Sequence, residues 1–114
     1  MNAEVPYPVD ERILAKTIGG DRNRVREMLG YFTLPSRKII AEMNHAFAER
    51  SAAGIKNAAH KLKSSARTIG ANSLADICVV LEDAGKKNDW SVIAKNYPLI
   101  ENLFTDVEVF IKNY

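Results

Sequence analysis

From Ile13 to the end of the chain, apolar residues recur at intervals of three and four, and no segment alternates apolar and polar residues convincingly with period two. A chain patterned in this way buries its apolar side chains by packing amphipathic helices together. The stretches between the periodic segments are short, so the economical fold is all-α: an antiparallel four-helix bundle with a short additional N-terminal helix. The length of 114 residues accommodates one domain and not two. We take 1–114 as a single domain, with an extended N-terminal segment over 1–9 and a bundle core over about 21–114.

Local signals divide the pattern into helices. Two prolines lie between Val5 and Pro8, and Asp10 follows as an N-cap for a helix over 11–18 whose apolar side is Ile13, Leu14 and Ile18. Gly19 and Gly20 break it, and Asp21 caps a long second helix that turns Val25, Met28, Leu29, Phe32, Ile39, Ile40, Met43 and Phe47 inward. Pro35 cannot donate to residue 31, so it kinks or splits that helix near 33–36; the kinked form is the expectation. A third helix over 52–68 ends near Gly70, and Asn72 or Ser73 caps a fourth that carries Leu74, Ile77, Cys78, Leu81 and Ala84. Gly85 to Asp89 reads as a turn. One last helix then starts at Asp89 or Trp90 and runs through Ile93, Tyr97, Ile100, Phe104, Val107, Ile111 and Tyr114, bent at Pro98.

Composition narrows the class of function. Hydrophobic residues make up 46% and charged residues 26%, as in an ordinary globular protein, and a formal charge of +2 is too small to imply a nucleic-acid partner. No stretch approaches the eighteen or so apolar residues needed to span a bilayer, so no membrane partner is expected. The single cysteine, Cys78, excludes an internal disulfide, and the start MNAEVPYPVDER lacks the features of a secretory signal; a cytoplasmic location is the expectation. The two histidines and one cysteine have no metal-ligand spacing, and no glycine-rich phosphate loop is present. Cys78 falls on an apolar stripe and reads as core, while His45, on the outer part of the second helix, reads as structural or simply exposed.

The third helix differs from the others. On a wheel of about 100° per residue, Ile55, Ala59, Leu62, Ala66 and Ile69 cluster within roughly 40° of one direction and form the buried stripe. His60 points well away from it, near Lys56 one turn before, Lys63 and Ser64 one turn after, and Arg67 two turns after. Free imidazole titrates near about 6.5, so at neutral pH a histidine offers mostly an unprotonated nitrogen that can accept an electrophile. If the electrophile is a phosphoryl group, Lys63 and the Ser64 hydroxyl are placed to bond its oxygens.

The run AHKLKSSARTIGA, followed by Leu74, Cys78 and Leu81-Glu82, resembles the histidine-containing phosphotransfer domains of phosphorelays. Their pattern is approximately His-x-Leu-Lys-Gly-Ser-Ser-x-x-x-Gly-Ala, then Leu, Cys and Leu-Glu in the next helix. His60, Leu62, Lys63, Ser65, Gly70, Ala71, Leu74, Cys78, Leu81 and Glu82 stand in register with it, and the resemblance extends over about residues 9–114. It implies that His60 accepts a phosphoryl group from the aspartate of one receiver domain and passes it to another, in response regulators or hybrid sensor kinases. It also implies a phosphocarrier with no kinase activity or cofactor of its own, working as a monomer, with Mg²⁺ on the receiver. By the same resemblance Lys63 helps hold the phosphoryl oxygens, and Lys56, Lys61, Ser64 and Arg67 belong to the partner-binding surface. Ser64 stands where the family usually has glycine, which bears on how closely a partner approaches.

Two other readings share the helical histidine. The dimerisation domain of sensor kinases typically has an acidic residue after its histidine, where this chain has Lys61, and no ATP-binding domain is expected to follow. A helical adaptor that docks a receiver without carrying phosphate is the second, and its mark is loss of the histidine, whereas His60 is present.

Overall fold

The computed structural model describes residues 8–114, and most of the expected extended segment 1–9 lies outside them. Six helices follow in order: α1 (Glu11–Ile18), α2 (Arg22–Ala48), α3 (Ala52–Ile69), α4 (Asn72–Lys86), α5 (Trp90–Asn96) and α6 (Leu99–Asn113). With α5 and α6 acting as one bent rod, α2, α3, α4 and that rod make an antiparallel four-helix bundle, and α1 is the short addition. The antiparallel order is read from cross-helix neighbours. Glu42 meets Lys61, His60 meets Glu82, Arg37 meets Glu101 and Glu108, and Arg22 reaches Tyr114. Among the described residues no helix is long and apolar enough to cross a membrane.

The expected caps hold at three helix starts. Asp10 accepts from the Arg12 amide at 3.0 Å, Asp21 accepts from the Asn23 and Arg24 amides, and Asp89 accepts from the Val92 amide. α4 differs, because its first turn has no side-chain cap and the flanking position is Ala71, one residue ahead of the expected Asn72. The reason is the tightness of the preceding turn. Gly70 takes a left-handed φ of 78°, its own amide bonds the Arg67 carbonyl, and the Ala71 amide folds back to the Ala66 carbonyl at 2.8 Å, so α4 begins at once. The Gly70 carbonyl accepts from the Asp10 amide at 2.8 Å, which pins α1 to this corner. In α1, Leu14 is buried and Ile13 half-buried; the Ile18 side chain lies outside the described residues.

The two prolines act differently. α2 continues through Pro35 undivided. At Pro98 the expected single last helix is instead two. Tyr97 and Pro98 keep right-handed helical dihedrals, but Pro98 has no amide to donate and the Ile100 amide bonds Tyr97 three residues back, so regular bonding is interrupted between α5 and α6.

Gly85 also departs from expectation. It sits inside α4 and not in a turn, and a Cβ placed there would lie 2.8 Å from the Ala52 carbonyl and 2.9 Å from the Lys56 backbone nitrogen. Its missing side chain lets α4 lie directly on the first turns of α3. The turn itself falls at Lys87 and Asn88, with Asn88 taking a φ of 55°.

The core is where the periodicity places it. Ile55, Ala59, Leu62, Ala66 and Ile69 of α3 are buried, facing Leu29, Ile40 and Met43 of α2, Leu74, Cys78 and Leu81 of α4, and Ile93, Ile100 and Phe104 beyond. Two apolar residues of α2 outside the expected stripe, Tyr31 and Leu34, are exposed.

Candidate functional site

His60 stands on the outer face of α3 with 61% of its side chain exposed, held by a helix whose opposite stripe is sealed in the core. That stripe fixes the phase of α3, and the phase turns the imidazole to solvent.

The ring is held from α4. His60 Nδ1 lies 3.0 Å from Glu82 Oε2, and the other oxygen of the same carboxylate takes the Lys63 ammonium at 2.5 Å. Glu82 and Lys63 are well covered, with 14% and 17% of their side chains exposed. The Lys63 ammonium, then the His60 ring, hold the Glu82 carboxyl below the usual glutamate range against the opposing effect of its burial. An ionised carboxylate can only accept, so Nδ1 is the donor, and in the neutral ring the unshared pair sits on Nε2. The arrangement is a carboxylate that orients an imidazole and leaves its far nitrogen free.

The other residues of interest divide around this centre. Lys63, expected beside the histidine to hold phosphoryl oxygens, is tied to Glu82. Lys61 turns to α2, where its ammonium meets Glu42 at 2.9 Å. The Ser64 hydroxyl donates to the His60 carbonyl at 3.3 Å, so it bonds its own helix, and the Thr68 hydroxyl does the same to Ser64 at 2.9 Å. Arg67 is exposed and in no ion pair among the described residues. Lys56 is half-buried where Gly85 crosses, and His45 is exposed on α2.

Glu82 is the residue that sequence reasoning did not place at the site. Its only signal was its position in the Leu-Glu pair of the family pattern, 22 residues from the histidine. Cys78 lies beneath this cluster and is fully buried; burial, with the Glu82 charge adding and Lys63 opposing, pushes its thiol up to about 12. It is a packing residue.

Comparison with known proteins bears on the same segment. Comparison with curated proteins finds no match. The fold is similar to the crystal structure of histidine-containing phosphotransfer protein B (HptB) from Pseudomonas aeruginosa PAO1, with a TM-score of 0.86 at 22% identity over 96% of this chain and 95% of that one. The sequence profile of the Hpt domain matches residues 27–109, which takes in α3, α4 and both His60 and Glu82. With an exposed, carboxylate-held histidine on the third helix of such a bundle, this chain belongs to the Hpt domain family.

Proposed function

We propose that this chain is a phosphotransfer intermediate, in which Nε2 of His60 takes a phosphoryl group from a receiver-domain aspartate and gives it to the aspartate of another receiver. The observation that carries this reading is the Glu82 carboxylate on Nδ1, which leaves Nε2 as the nucleophile on the exposed edge of the ring. In the forward step the Nε2 lone pair forms the N–P bond as the receiver's acyl O–P bond breaks, and the aspartate leaves as a carboxylate. The Nδ1 proton stays in place, so the ring gains positive character that Glu82 stabilises. The return step reverses each bond.

Phosphoryl transfer needs positioning and charge stabilisation more than covalent help, so the chain's contribution can be small. Its stem held against α4, Lys63 is within one turn of His60 and can shift from Glu82 to the arriving phosphoryl oxygens. Arg67, Lys56 and Lys61 border the face that a receiver covers, and the receiver supplies the acidic pocket and its Mg²⁺. Ser64 presents a small side chain beside the ring, and its hydroxyl is directed to the helix backbone. The chain acts as a monomer in the cytoplasm, with neither nucleic acid nor membrane as partner.

The test is to mix the purified protein with a receiver domain phosphorylated on its aspartate, in Mg²⁺, and follow acid-labile, base-stable label. The wild type acquires label and His60→Gln does not. Saturable docking with no label on the wild type would identify a passive adaptor and reject the relay.

A further inference from the structure

α2 is engaged on three sides. Inward, Val25, Leu29, Phe32, Ile40 and Met43 belong to the core; on one flank Arg37 meets Glu101 and Glu108 of α6, and on the other Glu42 meets Lys61 of α3. On a wheel of about 100° per residue, Glu27, Tyr31, Leu34 and Lys38 lie within roughly 50° of the direction opposite the core stripe. All four are exposed, and Leu34 at 73% and Tyr31 at 70% are the most exposed large apolar side chains among the described residues. Neither Glu27 nor Lys38 is in an ion pair among the described residues.

The order of these four residues is self-complementary. They recur at intervals of four, three and four, the spacing of the seam along which two helices coil. With a two-fold axis between Tyr31 and Leu34, an antiparallel second copy sets its Leu34 on Tyr31 and its Lys38 on Glu27, each contact occurring twice. A parallel pair sets Glu27 on Glu27 and Lys38 on Lys38, like charge on like. A slip of one heptad either way sets Leu34 opposite Arg24 or Lys38. One orientation and one register therefore satisfy both the apolar and the charged positions.

We infer that this ridge is a contact between two copies of the chain, paired antiparallel through the outer face of α2. Tyr31 and Leu34 fill its centre, and a Glu27–Lys38 ion pair closes each end. With so few apolar layers the contact falls below the roughly 1,200 Å² at which stable interfaces begin, so the dimer is weak, with a dissociation constant on the order of 100 μM. The Glu42–Lys61 pair sets His60 level with Met43, so at about 1.5 Å per residue the two imidazoles lie roughly 30 Å apart along the paired helices. Glu82 holds each ring on the α4 side of α3, clear of the contact, and one chain remains the unit that exchanges a phosphoryl group.

Sedimentation of the purified chain at low salt, from about 10 μM to about 1 mM, measures the association. The wild type is expected to dimerise over this range. Tyr31→Ala/Leu34→Ala removes the centre, and Glu27→Lys or Lys38→Glu sets like charges at both ends; each is expected to weaken the dimer at least about tenfold. The charge-swapped Glu27→Lys/Lys38→Glu double variant restores the pairs and is expected to associate as the wild type does, which also excludes a folding defect in either single variant. A mixture of the two single variants is expected to form a heterodimer tighter than either homodimer. A wild type that stays monomeric at about 1 mM overturns the inference. So do single charge variants that associate like the wild type, or a double variant that stays as weak as the singles.

Discussion

Glu82 acts on two neighbours at once, and its two oxygens have separable effects. The one on Nδ1 selects the tautomer that exposes Nε2, and the one on Lys63 holds a cation within one turn of the ring, where, on the transfer reading proposed above, the phosphoryl group arrives. Glu82→Gln keeps an acceptor for Nδ1 and loses the charge, whereas Glu82→Ala loses both. A hydrogen bond to a charged group contributes about 1.5–3 kcal/mol, so the alanine variant should slow transfer by roughly 10- to 100-fold and the glutamine variant by less. Single-turnover transfer rates, with the imidazole nitrogen shifts as the record of tautomer, check this. The same carboxylate has a pH signature. Because its folded-state pKa lies below the ordinary 4.5, the unfolded chain binds the proton first as pH falls. Its stabilisation is complete above that value and is lost through the acid range below it. Melting temperatures of wild type and Glu82→Gln should therefore differ at pH 7 and converge as pH falls below about 4.

The crossing of α3 and α4 sets the reach of Glu82, and Gly85 sets the crossing. Gly85→Ala gains up to about 1 kcal/mol of helix propensity, but its Cβ meets backbone atoms of Ala52 and Lys56 that cannot swing aside. Overpacking of this kind costs about 1–3 kcal/mol, so a net loss of stability is expected, together with a displaced α4 and a weakened His60–Glu82 bond. Denaturant unfolding measures the first and the His60 nitrogen shifts the second. Unaltered stability and unaltered shifts together would show that the helices do not depend on this contact.

Across the whole molecule, α6 is fastened to α2 on the side away from His60. The Arg37 guanidinium reaches Glu101 at 3.0 Å and Glu108 at 2.8 Å and lies 4.5 Å over the Phe104 ring. At 42% exposure it is a largely solvated clamp, so Arg37→Ala should cost about 1 kcal/mol, lower the melting temperature by roughly 4 °C and leave transfer from a receiver unchanged. A matching fall in transfer rate would mean that the far side of the bundle is coupled to the site. Farther along, Phe47 stacks on Tyr97 at 4.1 Å and the Tyr97 hydroxyl donates to Asn44, which ties the α5–α6 bend to the end of α2. The sequence by itself determined the first four helices to within a few residues, the caps at Asp10, Asp21 and Asp89, the buried stripe of α3 and the outward direction of His60, because each follows from the periodicity or local chemistry of one segment. At Pro35 the expected undivided helix stands in α2, whereas at Pro98 the expected bend is a break between α5 and α6, and that difference was not legible in the local pattern. Nor was the neighbour of the imidazole. Periodicity gives the face of a helix and not the distance across to the next one, so only the close approach of α4 at Gly85 decided that Lys63 and His60 share the carboxylate of Glu82.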